Sequence, residues 1–329
     1  SSRSILFTEK AEIRAVASEP LECRYPDSGW VEQDAEAIWE TQRSTIVKVL
    51  DQAGIGLSEV SAIGITNQRE STIAWNLETG EVLCPAINWQ CRRTAGFCDE
   101  LKEEGFDELI RNRTGLVTDP YFSGTKMHWI LQNVPEAANL ARQGKLCFGT
   151  VDSWLIWKLS GGTTHAIEIS NASRTLVFDI QKCEWDSEIL ARFGIPPESL
   201  PEVVPSSGVI AEVDESPFGG SAPIAGAAGD QQAALFGQAC FSPGMAKNTY
   251  GTGCFMISNT GKHLIRSQNG LLTTIGWKLG DEVTYALEGS VFIAGALVQG
   301  LRDGLELFSD AAETESMALS VSDSGGVFV

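Results

Sequence analysis

Short apolar runs of strand length alternate along this chain with stretches of helical period, and that alternation restricts it to folds in which helices cover a sheet. Ser4-Ile5-Leu6-Phe7-Thr8, a polar turn over Glu9 to Glu12 and Ile13-Arg14-Ala15-Val16-Ala17 read as a hairpin. Asp34 stands where it can cap a helix carrying Ile38, Gln42, Ile46, Val49 and Leu50, with Gly54 as its stop. A strand over Ala62 to Thr66 follows, then a second hairpin through Ser71 to Trp75 and Glu81 to Leu83, and a strand Ala86 to Trp89 leading into a polar helix from Arg92. Helices are predicted at Ser123 to Gln132, Pro135 to Arg142, Asp152 to Leu159 and Ser187 to Phe193, and the prolines at 196, 197, 201 and 205 mark a stretch expected to be irregular. From Pro223 the pattern restarts with a strand to Gly229, a helix Gln231 to Cys240 capped by Asp230, and a hairpin over Ala246 to Asn259. Strands Leu271 to Trp277 and Glu282 to Leu287 then feed a helix Val291 to Leu305, repeating the opening order of hairpin then helix. The fold class is α/β with mixed strands.

The 329 residues suffice for two domains with real cores, and 43% hydrophobic content excludes a disordered chain. No apolar run approaches the roughly 20 residues that span a bilayer, and Ser1-Ser2-Arg3-Ser4 opens without a secretory apolar segment, so neither membrane nor secretion is expected. Lys plus Arg total 24 against 43 Asp plus Glu, a net charge of −19 that repels phosphate backbones and argues against nucleic acid as partner. The eight cysteines form no CxxC pair and have no histidine nearby for a zinc site, which fits reduced thiols of a cytoplasmic protein. His128, His165 and His263 are the only histidines and lie far apart in sequence, so the chemistry must run on carboxylates. The chain opens inside one strand-like run and Gly325 to Val329 stops inside another, as expected of a fragment of something longer.

Four segments place polar residues at the ends of apolar strands, where α/β sheets bind ligands. Thr66-Asn67-Gln68-Arg69-Glu70 is either a solvated loop or a donor fork beside an acceptor, the pair that vicinal hydroxyls require. In Trp89-Gln90-Cys91-Arg92-Arg93 the indole is either an ordinary core residue or the apolar wall of a small polyol site. Asp230, in Gly229-Asp230-Gln231-Gln232, is either a helix cap or a base that takes a proton from a substrate hydroxyl. Tyr250-Gly251-Thr252-Gly253-Cys254 is either a hairpin turn or a turn around phosphate oxygens.

TNQRE at 66 to 70, WQCRRT at 89 to 94, DPYFSGTK at 119 to 126, GTVDSWLIWKL at 149 to 159, NASRT at 171 to 175, GDQQAALFGQ at 229 to 238 and MAKNTYGTGCF at 245 to 255 together resemble the glycerol kinases, in that order and over essentially the whole chain. The resemblance implies two actin-like (ribonuclease H-like) domains flanking a cleft, with residues 1–238 as the N-terminal domain and residues 239–329 as the opening part of an incomplete second one. It implies ATP-dependent phosphorylation of glycerol to glycerol 3-phosphate, with Arg69, Glu70, Trp89, Tyr121, Asp230 and Phe255 forming the glycerol pocket and Asp230 acting as general base. Gln231, Gly251, Thr252, Gly295 and Gln299 would contact ATP, Arg3 matches the arginine that closes the first phosphate loop, and Mg²⁺ would neutralise the transferred phosphoryl group. No residue of this chain is assigned to the metal. Another sugar or polyol kinase, or a non-catalytic actin-like nucleotide-binding module, remain the alternatives, and a homo-oligomer is left open. The Asp-Gln-Gly-Thr phosphate loop that precedes this segment in the family is absent, as is the distal glycine-rich adenosine segment, so the fragment alone is expected to be inactive. Where some bacterial members bind fructose 1,6-bisphosphate at a Gly-Gly-x-Arg loop, this chain has Gly219-Gly220-Ser221-Ala222, which implies insensitivity to the bisphosphate and partial rescue by Ala222→Arg.

Overall fold

The computed structural model describes residues 1–327; the expected terminal run therefore reaches, at Phe328 and Val329, outside the described residues. The chain opens with the predicted antiparallel hairpin, β1 (Ser2–Phe7) on β2 (Ile13–Glu19), followed by the short β3 (Glu32–Gln33). Helix α1 (Ala35–Ala53) starts at Asp34, whose carboxylate accepts from the amides of Glu36 and Ala37, and stops at Gly54 in the left-handed region at φ 65°. Ala15 and Ala17 of β2 pack on Val49 of that helix.

The middle of the chain adds β4 (Ile63–Asn67), β5 (Ile73–Asn76), β6 (Ala86–Ile87), α2 (Ala95–Glu103), α3 (Asp107–Thr114), α4 (Ser123–Asn133), α5 (Pro135–Arg142), β7 (Leu146–Gly149) and α6 (Val151–Leu159). The expected second hairpin closes through the Trp75–Val82 bridge and the backbone bonds Asn76 N to Glu81 O at 2.9 Å and Leu83 N to Ala74 O at 3.0 Å, while β5 pairs with β7 along its other edge. The helix expected from Arg92 begins at Ala95, and α3 is an addition to the expected elements. Then come β8 (Ala166–Glu168), the single turn α7 (Ile169–Ala172), β9 (Phe178–Asp179), β10 (Glu184–Trp185) and α8 (Ser187–Phe193). The proline-punctuated stretch is more regular than expected: β11 (Glu202–Val204) pairs with β8 and β12 (Ser207–Glu212) joins the main sheet, the prolines sitting outside both strands.

The restart at Pro223 is found as β13 (Pro223–Gly229), α9 (Asp230–Gly237), β14 (Ala246–Tyr250), β15 (Cys254–Gly261), β16 (Leu272–Leu279), β17 (Glu282–Val291), α10 (Gly295–Asp303) and α11 (Glu313–Leu319). Two expectations are corrected here. Helix α9 ends at Gly237 rather than Cys240, since Ala239 takes positive φ and turns the chain, and α10 starts at Gly295 because β17 continues to Val291 to complete its pairing with β15.

A seven-stranded sheet in the order β14-β15-β17-β16-β12-β13-β4 carries the second half of the chain and one strand of the first. The two groups of strands meet at one pair, Ser207 opposite Leu279. At the other end β13 runs parallel to β4, with Gly229 opposite Asn67. The two main cores lie to either side of β5 and β7, one centred on Phe122, Phe148 and Phe193 and the other on Trp75, Trp154 and Ile224. A cleft of about 760 Å³ lies between β1 and β4 and is lined by Leu6, Ile46, Val49, Ile65 and Leu159.

Candidate active site

Because β4 and β13 are parallel neighbours ending at the same level, the residues that leave them emerge side by side. Arg69 and Glu70 follow the end of β4, and Asp230 is the first residue after β13. Arg69 Nε lies 3.4 Å from Asp230 Oδ1 and 3.7 Å from Glu70 Oε1. Gly229 is required here, since a Cβ at that position would stand 2.7 Å from the Arg69 side chain. Asp230 does not cap α9: the N-cap is Gly229, and the carboxylate accepts instead from its neighbour Gln231, through the backbone amide at 2.8 Å and Nε2 at 2.9 Å. Freed of the capping role, its side chain is 46% exposed while Arg69 and Glu70 are buried.

Glu70 adopts φ 62°, a left-handed conformation that a non-glycine residue holds only under constraint. The constraint is visible at its carbonyl, which accepts from Ser123 Oγ at 3.1 Å, Lys126 Nζ at 3.2 Å and Thr72 Oγ1 at 3.3 Å. Lys126 is fully buried, donates also to the carbonyl of Tyr121, and burial brings its pKa down to about 8. The DPYFSGTK segment therefore fixes two pocket residues through their backbones.

Aromatic rings wall the space beyond the carboxylates. Trp89 makes edge contacts with Tyr121 at 5.8 Å and Phe255 at 6.3 Å, and Phe292, which no sequence motif marks, joins them at 5.3 Å from Tyr121 and 6.5 Å from Phe255. Burial pushes the Tyr121 phenol up, so it stays neutral. Arg69, Glu70, Trp89, Tyr121, Asp230 and Phe255 thus fall into one polar and aromatic constellation.

Two further charges complete it, and neither is among the candidates read from the sequence. Glu288 on β17 takes both Arg69 nitrogens, at 2.5 and 3.1 Å, and Arg174 Nη2 at 2.8 Å, while Arg174 Nε reaches Glu70 Oε1 at 2.7 Å. Burial pushes the Glu288 carboxyl up, but Arg174 and then Arg69 outweigh it and draw it down to about 2. For Glu70 burial dominates and leaves the carboxyl raised, against the pull of the same two guanidiniums. A signal for Glu288 does exist: at spacing two from Ala286 it falls on the inward face of its strand.

The remaining candidates divide. Gln231 accepts from Lys247, which also donates to Thr249 Oγ1 at 2.7 Å, so Asp230 is linked to the base of the Tyr250–Cys254 turn. Gly251 and Thr252 abut the start of α10, where Gly295 N donates to Gly251 O at 2.9 Å and a Cβ on Gly295 would stand 2.6 Å from that oxygen. Gln299 lies one turn further along α10. Arg3 is not part of this group: it stands on β1, donates to Ser18 Oγ at 2.9 Å and lines the cleft between β1 and β4. Ala222, the site of the expected arginine rescue, is buried among the residues of the second core, so an arginine there would first have to displace that packing. All eight cysteines are free, and no helix among the described residues is long and apolar enough to cross a membrane.

Residues 1–237 match the N-terminal domain of the FGGY family of carbohydrate kinases. The chain is 57% identical over 329 residues to the glycerol kinase of Symbiobacterium thermophilum, covering all of this chain and 66% of that protein. Among solved structures, Plasmodium falciparum glycerol kinase with ADP superposes with a TM-score of 0.89 at 33% identity, covering 98% of this chain and 64% of that one. The xylulose kinase of Rhodospirillum rubrum superposes at 0.83 with 22% identity over 98% of this chain and 65% of that one, a likeness of fold. The chain spans 66% of the length of the Symbiobacterium relative.

Proposed function

Since the chain belongs to the FGGY family of carbohydrate kinases, with the mixed α/β fold of the actin-like sugar kinases, we propose that it is the polyol-binding portion of an enzyme transferring the γ-phosphoryl group of ATP to glycerol. The observation that carries the reading is the emergence of Arg69, Glu70 and Asp230 at adjacent strand ends against a wall of four aromatic rings. Glycerol offers three hydroxyls and a short carbon chain. Glu70 accepts from one hydroxyl, Arg69 donates to another, and Trp89 and Phe255 cover the carbons. The third hydroxyl faces Asp230, whose exposed carboxylate takes its proton as the oxygen bonds to the γ-phosphorus and the bond to the ADP oxygen breaks. The proton then leaves Asp230 for solvent, to which its side chain is half-exposed.

On the nucleotide side Gln231, Gly251, Thr252, Gly295 and Gln299 are proposed to meet ATP, and Arg3 to contribute only if the β1 cleft is continuous with the nucleotide in the working enzyme. Magnesium supplied with ATP would neutralise phosphoryl charge. The described residues contain no group of three or more His, Cys, Asp or Glu side chains able to hold a metal on their own. Residues 1–238 are proposed as one domain and residues 239–329 as the start of a second, in a cytoplasmic protein that binds neither nucleic acid nor fructose 1,6-bisphosphate. This segment by itself is proposed to be inactive. The test is the substrate range of the chain extended to the length of its relatives: ATP-dependent formation of glycerol 3-phosphate supports the reading. Preference for xylulose or gluconate, or ATP hydrolysis without any polyol acceptor, overturns it.

A further inference from the structure

Glu288 lies on β17, 219 residues along the chain from Arg69, yet it is fully buried against it. The four charges form a closed ring: Glu70 to Arg174, Arg174 to Glu288, Glu288 to Arg69, and Arg69 back toward Glu70. Each carboxylate faces two guanidiniums, so the ring is neutral, and Asp230 is the fifth charge at its edge. Ser290 Oγ adds a contact to Glu288 at 3.3 Å, Arg69 Nη1 also reaches Gln232 Oε1 at 3.2 Å, and Arg174 Nη1 is buried with no hydrogen-bond partner. A purely stabilising role is a weak account of such a ring, because apolar packing of the same volume commonly stabilises as well or better.

We propose that Glu288 and Arg174 are positioning residues of the polyol site: by engaging both Arg69 Nη atoms, Glu288 leaves only Nε facing Asp230, and Arg174 holds the Glu70 carboxylate. The proposal rests on the glycerol reading above. Without Glu288 the charged acceptors left within reach of Arg69 are Glu70 and Asp230, the two groups that reading reserves for substrate hydroxyls, with Gln232 Oε1 as a neutral one. A guanidinium turned onto Asp230 with both Nη atoms would occupy the carboxylate that must take the proton. The ring also makes the pocket depend on β17, a strand of the β14 to β17 group, so the polyol site is complete only when both groups of strands are in place.

The test uses three variants of the chain at its relatives' length: Glu288→Gln, Arg174→Lys, and the charge-balanced pair Arg174→Met with Glu288→Gln. Folding is followed by circular dichroism, and KM is measured separately for glycerol and ATP. Positioning predicts that glycerol KM rises about tenfold or more in each folded variant, the scale of losing one charge-assisted hydrogen bond, while ATP KM stays within about twofold. It also predicts that the balanced pair restores folding without restoring glycerol KM. Glycerol KM unchanged in the folded variants, or returned to the parent value by the balanced pair, would assign the ring to bracing alone and overturn the proposal while the glycerol reading stands. Failure of all three variants to fold likewise assigns the ring to bracing and overturns the proposal. A parent enzyme that does not phosphorylate glycerol removes both.

Discussion

Two carboxylate clusters lie fully buried in this molecule, and they solve the same problem in opposite ways. Glu70 and Glu288 are each held against guanidiniums. Asp152 and Glu168 pair with no cation in the described residues: Glu168 accepts from Ser170 Oγ and Ser206 Oγ, both at 2.5 Å, and Asp152 accepts from Thr150 and from the Glu168 amide at 3.0 Å. The consequence is electrostatic. Burial, only partly opposed by these hydrogen bonds, raises Asp152 to about 6 and Glu168 to about 7, whereas the arginines draw Glu288 down to about 2. In one cluster the arginines hold the charge on Glu288, and the half-exposed Asp230 stands at its edge. The other tends toward neutrality and works behind it, since Ser170 accepts from the Gly229 amide at 3.1 Å and so anchors the strand end from which Asp230 projects.

The largest effect expected from breaking this contrast is on rate. Asp230→Asn should lower glycerol phosphorylation roughly 10² to 10⁴-fold with an unchanged circular dichroism spectrum, because an amide fits the site but takes no proton and Gly229, not Asp230, caps the helix. Retention of more than about a tenth of the turnover would remove the base assignment. Next, Glu288→Leu should cost about 3 to 5 kcal/mol in denaturant unfolding, since it strands guanidinium charge in the interior, and a loss under about 1 kcal/mol would mean that water reaches the ring.

The third prediction concerns pH. A carboxyl raised on folding contributes stability that is complete below its unfolded pKa and lost as pH rises through the folded one. For Asp152 that window runs from 3.8 to about 6, and for Glu168 from 4.5 to about 7. Glu288, lowered on folding, contributes stability above 4.5 that is lost only as pH falls toward about 2. Melting temperature followed from about pH 7 down to about pH 5 should therefore rise in the parent more than in Glu168→Gln, and parallel curves would show that Glu168 is already neutralised by a partner. The smallest effect is expected at Lys126: its replacement by Met should change stability by only about 1 kcal/mol, as relief of a buried cation offsets the donor lost at the Tyr121 carbonyl, while the Glu70 carbonyl keeps Ser123 and Thr72. Glycerol affinity should nonetheless fall, because Glu70 loses a restraint on its strained backbone.

What can be read from the sequence follows the range of the interactions. Strand and helix order, the Asp34 cap and the Gly54 stop depend on neighbours within a few residues, and the structure has them. The placement of Arg69, Glu70 and Asp230 at strand ends is legible from polar residues terminating apolar runs. The charge ring is not, because its members sit at 69, 70, 174 and 288 and meet only through the sheet. NASRT is legible as a motif, but nothing local says that Arg174 reaches Glu70. Lys126 likewise falls inside a legible motif, DPYFSGTK, but only the packing of α4 brings it under the Glu70 carbonyl. Asp230 reads as a cap because a carboxylate between a strand and a helix usually is one.

The most direct test of the account is a glycerol titration of the chain at its relatives' length, read by tryptophan fluorescence, with Trp89→Phe identifying the reporting ring among the nine tryptophans. The polyol site described above predicts a saturable signal that Trp89→Phe removes, that weakens about tenfold or more in Arg69→Ala and Glu70→Gln, and that persists unchanged in Asp152→Asn. A parent protein with no saturable response, or an Arg69→Ala variant that binds glycerol as tightly as the parent, would contradict it.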